Sequence, residues 1–294
     1  MPSATKGLLR PRVQRLRLGR FEITNILDGV SQRDGPHPMF GADQPAEAVH
    51  RQLAANRLPA TRFEHSYTPT VVSTGDQLVL FDTGNGAARR SAGVGDLRAL
   101  LPEAGYRPED IDVVVITHCH PDHIGGLLEG EQRAFPRARY VFGRREFDFW
   151  RGGENIPDGR GPTRELFMQV ALPFADEATF LEPDEEVVPG IRSVEAFGHS
   201  PGHMAYHVES EGERLLLWAD LTNHYVVSLQ RPEWKVKVDD DPDQAIATRK
   251  RLLEMVAVER LWAVGYHMPF PAIGWVDKTR DGYRWVPISY QLNL

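Results

Sequence analysis

The chain has 294 residues, 41% hydrophobic and 26% charged, with a formal net charge of −7. That length makes one large domain or two small ones, enough to bury a core, and the composition excludes a disordered chain. One cysteine among 11 histidines excludes a disulfide framework and any thiolate-rich zinc site, so a bound metal must be held by imidazole nitrogen and carboxylate oxygen.

The basic cluster Arg10, Arg12, Arg15, Arg17 and Arg20 reads as a solvated lead-in to the first strand rather than a transit-like segment. No apolar signal core follows Met1 and no 18-residue apolar run occurs, so a soluble, cytoplasmic protein with no membrane partner is expected. The acidic balance excludes a nucleic-acid partner, which needs a basic face. Phe21–Val30 reads as a strand. Residues 31–66 carry Gly35, Pro36, Pro38 and Pro45, then a helical stretch over Ala46–Leu58, and are expected to form an excursion or lid. Strands are expected at Thr70–Thr74, Gln77–Phe81 and Ile111–Thr117, the last rich in β-branched residues, with a helix over Gly95–Ala104. Arg139–Phe142 follows as a short strand, then helices over Arg144–Trp150 and Thr163–Phe174. Val187–Phe197, Met204–Val208 and Arg214–Trp218 read as three strands. Pro242–Val258 reads as a helix that Asp243 caps or charges, with Ile246, Leu252, Leu253 and Val256 on its apolar face. Arg260–Val264 reads as a strand, and the Trp-, Tyr- and Pro-rich tail 271–294 is expected to pack back on the body. Mixed strands and helices argue an α/β or α+β chain.

The strand over 111–117 runs into His118-Cys119-His120-Pro121-Asp122-His123, an H-x-H-x-D-H pattern. In extended chain, residues i and i+2 point to one side. His118 and His120 therefore project together and Cys119 projects away, as a small buried residue. A turn at Pro121 turns Asp122 and His123 toward a second point, so one hexapeptide can serve two adjacent metal positions. Further ligand types stand where apolar strands stop: Gly198-His199-Ser200-Pro201-Gly202-His203, then Asp220, then His267.

Together with Asp82-Thr83-Gly84, this series resembles the metallo-β-lactamase-fold hydrolases over about residues 68–270. The resemblance implies a four-layer αββα sandwich, one domain over 1–294, with a dinuclear site at one edge. It implies that His118, His120 and His203 hold the first metal, that Asp122, His123 and His267 hold the second, and that Asp220 bridges both. Asp82 and His199 are expected to support the ligands from behind. The finer resemblance is to the branch containing methyl parathion hydrolase and the N-acyl homoserine lactonases. It rests on Gly198–His203, Trp218-Ala219-Asp220-Leu221 and Gly265–Gly274. Lactonases of this group carry a tyrosine three residues after the bridging aspartate. Here that position is Asn223, followed by His224 and Tyr225. These three, with Trp150 and Phe270, are the expected substrate-pocket residues.

Two motifs mislead. Gly198–Gly202 matches G-x-S-x-G, but Pro201 has no N–H for an oxyanion hole. Asp82-Thr83-Gly84 resembles an aspartic-protease signature, yet no second copy occurs to complete a carboxylate pair. The resulting expectation is a hydrolase with two divalent ions, zinc by default and iron, manganese or cobalt as alternatives. The ions lower the pKa of a shared water, and the hydroxide attacks a small lactone or carboxylic ester. Asp122 or Asp220 carries the proton to the leaving group. The alternatives are a phosphotriester hydrolase, a thioester hydrolase and a non-catalytic metal scaffold. A homodimer is one possible assembly.

Overall fold

The computed structural model describes residues 9–289. In chain order its elements begin with β1 (Val13–Leu18), β2 (Phe21–Ile26), β3 (Gly29–Asp34), α1 (Ala46–Ala55) and β4 (Arg62–Tyr67). Then come β5 (Thr70–Ser73), β6 (Leu78–Phe81), α2 (Leu97–Leu100), β7 (Val113–Ile116), α3 (Pro121–Ile124) and the short pair β8 (Leu128–Glu129) and β9 (Gln132–Arg133). The middle of the chain gives β10 (Arg139–Gly143), α4 (Arg144–Gly152), α5 (Gly161–Val170), β11 (Thr179–Leu181), β12 (Glu186–Val188) and β13 (Ile191–Glu195). The last part gives β14 (Met204–Ser210), β15 (Glu213–Ala219), α6 (Val227–Gln230), α7 (Pro242–Val258), β16 (Trp262–Gly265), β17 (Ile273–Lys278) and β18 (Tyr283–Pro287).

Two seven-stranded sheets carry the fold, ordered β1-β2-β5-β6-β7-β10-β11 and β12-β13-β14-β15-β16-β17-β18. Between them lies an apolar layer that includes Ile23, Val79, Val113 and Val141 from the first sheet and Met204, Tyr206, Leu215 and Val264 from the second. Outside the first sheet, Leu97, Phe147, Trp150 and Phe167 from α2, α4 and α5 pack on Val114 and Phe142. Outside the second, Leu252, Leu253 and Val256 of α7 pack on Leu216 and Trp218. This is the αββα sandwich that the family resemblance implies. The strand β7, Val-Val-Val-Ile, is buried along its whole length between two parallel neighbours. A continuous apolar run, rather than alternation, is what such a position requires.

Several element boundaries differ from expectation. The arginine-rich lead-in is itself a strand: β1 pairs antiparallel with β2 from Val13↔Ile26 to Leu18↔Phe21, with Leu16 and Leu18 buried and Arg15 and Arg17 on the outward positions. The expected strand Phe21–Val30 breaks after Ile26. There the buried Asp28 carboxylate accepts N–H groups from Asn85, Gly95 and Leu97. Gly29 lies against Val94, where a Cβ would stand 2.5 Å from its Cα. The helix at Gly95–Ala104 shrinks to α2 and a 3-10 turn at Pro102–Ala104, and that at Thr163–Phe174 ends at Val170 before Pro173. The strand at Val187–Phe197 divides around the Pro189-Gly190 turn. Asp241, rather than Asp243, caps α7 by accepting from Gln244 N at 3.0 Å, while Asp243 charges its first turn.

Within 31–66, β3 and β4 pair antiparallel from Gly29↔Tyr67 to Asp34↔Arg62, with α1 between them, shorter than the expected Ala46–Leu58. Phe40, Val49 and Leu53 of this segment share a small apolar cluster with Val227 and Val236. The tail adds β17 and β18 to the edge of the second sheet; residues 290–294 lie outside the described residues. No helix among the described residues is long and apolar enough to cross a membrane.

Candidate metal centre

Parallel register sets the site. The ends of β6, β7 and β10 lie side by side, with Phe81↔Val115 and Ile116↔Phe142, so Asp82 and His118 emerge at one sheet edge. In the second sheet Ala219↔Gly265 brings Asp220 beside the turn that carries His267. The ladder of β15 shifts register between Leu217 and Ala219, and Ala219 takes a φ of 47°. Left-handed backbone at a non-glycine residue is strain that a site can use to aim a side chain; here it turns Asp220 out of the strand. Asp82 likewise has a φ of 61°, a conformation that aspartate tolerates better than most residues.

The H-x-H-x-D-H hexapeptide behaves as its spacing predicts. The rings of His118 and His120 lie 4.5 Å apart, and Cys119 is buried in the outer core on the opposite side. Burial pushes the Cys119 thiol up, so it stays protonated. Pro121 opens α3, which carries Asp122 and the fully buried His123. Asp82 binds the start of this segment: Oδ1 accepts Thr117 N at 2.8 Å, and Oδ2 accepts Thr117 Oγ1 at 2.9 Å and lies 2.8 Å from His123 Nδ1. Asp220 stands at the centre. Its Oδ2 is 3.0 Å from His267 Nε2, 3.2 Å from His199 Nε2 and 4.0 Å from His118 Nε2, and its Oδ1 is 3.2 Å from His123 Nε2.

Three sets of ligand-type atoms converge: His118, His120 and His199; His118, His123 and Asp220; and Asp122, His123 and His267. His203 is in none of them, and His199 stands in the place that the resemblance gives to His203. Both ring nitrogens of His203 are already engaged, Nδ1 at 2.8 Å from the Ala196 carbonyl and Nε2 accepting Asp220 N at 3.3 Å. His199 keeps Nε2 free of backbone partners and aims it at Asp220 and His120. His203 instead ties the β13–β14 turn to the start of the Asp220 loop.

The donor set fits a pair of divalent cations. His118 Nε2, His123 Nε2 and Asp220 Oδ1 are buried and find no hydrogen-bond partner, a condition that costs free energy unless another group occupies them. Burial pushes His118 well down, His120 to about 4 and His203 to about 3, so these rings are neutral and keep lone pairs. Burial also opposes charge on His123 and His199, but their carboxylate neighbours outweigh it. Asp220, Asp82 and Asp122 hold His123 well above its usual value, and Asp220 and Asp239 raise His199 to about 9. Burial alone would raise Asp220; His267, His123 and His199 together hold it well below the usual carboxylate range.

Sequence reasoning missed the groups behind the ligands. Glu146 of α4 is buried and joins the two ligand loops. Its Oε1 accepts Cys119 N, Trp150 Nε1 and Ser200 Oγ, and its Oε2 accepts Gly202 N. The Ser66 carbonyl lies 2.8 Å from His267 Nδ1, the Tyr266 ring lies 4.0 Å from that of His123, and the His65 ring lies 3.9 Å from that of His267. Asp239 and Asp240 bond to His199 and His120. Only the alternation of Phe63, His65 and Tyr67 along β4 gave a signal; the others are joined by folding alone.

Beside His267 opens a cavity of about 1010 Å³. Asn223, His224, Tyr225 and Phe270 line it as expected, with Phe63 and Leu58 from the 31–66 segment opposite. Trp150 does not line it. It is fully buried in the outer core, where its Nε1 donates to Glu146 at 2.8 Å. Asn223 Nδ2 donates to Asp220 Oδ2 at 2.8 Å.

The geometry has known counterparts. An N-acyl homoserine lactonase of Bacillus cereus is 30% identical over 162 residues, 55% of this chain and 57% of that protein. One from Bacillus thuringiensis is 29% identical over the same extent, so the chain spans little more than half the length of these curated relatives. Among solved structures, AidC, a dizinc quorum-quenching lactonase in complex with a product, superposes with a TM-score of 0.87 at 25% identity, covering 94% of this chain and 97% of that one. The hydrolase AbOPH superposes at 0.86 with 27% identity, covering 96% and 99%. Residues 64–267 match the family model itself, and with the sandwich and the His/Asp centre in place, the chain belongs to the metallo-beta-lactamase superfamily.

Proposed function

We propose that this protein is a dinuclear zinc hydrolase that opens lactones, or cleaves related carboxylic esters, of small-molecule size. The observation that carries the reading is the central position of Asp220, within 4.0 Å of His118, His123, His199 and His267, the last of which lines a cavity large enough for an acylated substrate. His118, His120 and His199 would hold one ion and Asp122, His123 and His267 the other, with Asp220 between them. Bound there, the ions activate water at neutral pH and supply positive charge for the oxyanion of the transition state.

The residues around them do the rest. His199 replaces His203 in this assignment because its Nε2 is free to ligate. The Asp122 side chain is 21% exposed while that of Asp220 is 4% exposed, so Asp122 is the carboxylate placed to take a proton and return it to the leaving alkoxide. Asn223, whose Nδ2 is tied to Asp220, occupies the place where the lactonase resemblance puts a tyrosine; it orients Asp220 rather than offering a phenol. In this reading the whole chain is one catalytic unit, and the 31–66 segment walls the substrate cavity. The lactone preference draws support from the lactonase relatives.

Metal analysis and a hydrolysis panel test it. The metal-loaded protein is expected to open N-acyl lactones faster than aryl esters and phosphotriesters, to lose activity on chelation and to regain it with zinc. Phosphotriesters cleaved faster than lactones would move the assignment to the alternative reaction. No hydrolysis by a fully loaded protein would leave a metal-binding scaffold.

A further inference from the structure

Asp239 and Asp240 are adjacent in the chain, yet each serves a different imidazole. Asp239 Oδ1 lies 2.9 Å from His199 Nδ1, and its Oδ2 accepts Arg249 Nη2 at 2.8 Å. Asp240 Oδ2 lies 3.1 Å from His120 Nε2, and its Oδ1 accepts Arg160 Nε at 2.7 Å. The arginines are fixed in turn. Arg249 is fully buried and also donates to the Leu221 and Pro232 carbonyls, while Arg160 donates to the Val238 carbonyl. The backbone is strapped to the ligand loop as well, with Asp240 N donating to His199 O and Asp241 N to Gly198 O.

A carboxylate accepts hydrogen bonds and cannot donate them. Both imidazoles therefore give their N–H outward, His120 from Nε2 and His199 from Nδ1. The inward nitrogens, His120 Nδ1 and His199 Nε2, are left facing one another at 3.0 Å. Asp220 Oδ2 also lies 3.2 Å from His199 Nε2, so a proton or a cation is needed where these three atoms converge. We propose that Asp239 and Asp240 are positioning residues that choose the ligating nitrogen of His199 and of His120, and so set the affinity of one metal position without setting that of the other. The proposal rests on the dinuclear reading above. At the other position, His123 is held by Asp82 and His267 by the Ser66 carbonyl, and neither imidazole bonds to Asp239 or Asp240 among the described residues.

Zinc affinity of the purified full chain, measured by competition with a chromophoric chelator, tests this. Asp239→Ala and Asp240→Ala are each expected to weaken one zinc equivalent about 10–100-fold and to leave the other unchanged. Asp240→Asn, which keeps an acceptor carbonyl, is expected to recover most of the loss. Ring-nitrogen NMR of the metal-free chain is expected to show His120 protonated on Nε2 and His199 on Nδ1. If Asp239→Ala, which strands a buried arginine, does not fold, Asp240→Ala decides alone, since Arg160 is 19% exposed and can turn to solvent. Equal loss at both equivalents, loss at neither, or the opposite tautomers would overturn the proposal. A wild-type chain that binds no zinc would overturn the dinuclear reading instead.

Discussion

His199 and His203 stand four residues apart in one glycine-flanked turn, and nothing in their spacing says which keeps a nitrogen free to ligate. The decision is made by hydrogen bonds. His203 spends both nitrogens on the Ala196 carbonyl and the Asp220 amide, whereas His199 spends one on Asp239. The H-x-H-x-D-H residues were legible because alternation and a proline turn are local properties; this choice was not, because Asp220 and Asp239 meet the turn only after folding. At this scale, Asp220→Ala and His118→Ala are expected to lower lactone turnover more than about 100-fold, measured with metal content on the same samples. Retention of full activity in both would remove the metal centre from the mechanism. Glu146→Gln puts an amide N–H₂ where all four partners are donors. It is expected to lower stability by about 1–3 kcal/mol, read by urea denaturation, and to loosen both ligand loops together.

Elements were legible where one residue type dominated and were misjudged where a side chain from elsewhere intervened. The apolar run of β7 and the proline-opened α7 announce themselves. The break between β2 and β3 does not, because Asp28 acts there on residues 85, 95 and 97. Replacing Asp28 by alanine strands these buried N–H groups, each costing about 1–3 kcal/mol. A fall in unfolding free energy of less than about 1 kcal/mol would show that water replaces the carboxylate freely. Packing of α3 is equally demanding. Gly126 lies so close to the Asp82-Thr83-Gly84 turn that a Cβ there would stand 2.0 Å from the Thr83 carbonyl oxygen. Gly126→Ala is expected to push α3 away, lowering both the melting temperature and zinc affinity although it touches no ligand.

Over the whole molecule, mixed strands and helices indicated only an α/β or α+β chain, and the sandwich was foretold by the family resemblance that the motif order carries. The β3–β4 pair was not foretold. Its partners are joined across α1, and β3 gives no clean alternation, running from the buried Gly29 to the exposed Gln32, Arg33 and Asp34. Two ions that bind only the folded chain should stabilise all of it. Each contributes about 2.7 kcal/mol when present at about 100 times its dissociation constant. Zinc is therefore expected to raise the melting temperature in a concentration-dependent way, and chelator to reverse it. A melting temperature independent of zinc would mean that the ligands are not ordered by the metal.

The carboxylates around the centre fall into two kinds. Asp239 and Asp240 are each matched by an arginine. Asp82, Asp122, Asp220 and Glu146 have no lysine or arginine partner among the described residues and meet imidazoles, hydroxyls, an indole, the Asn223 amide or backbone N–H groups. In the metal-free chain their charge is answered by protonated imidazoles, His123 and His199 above all. Divalent ions would therefore enter in exchange for those protons, and uptake of zinc is expected to release acid. Arg249 and Arg160 answer the charge of Asp239 and Asp240, which leaves that exchange to the arginine-free carboxylates.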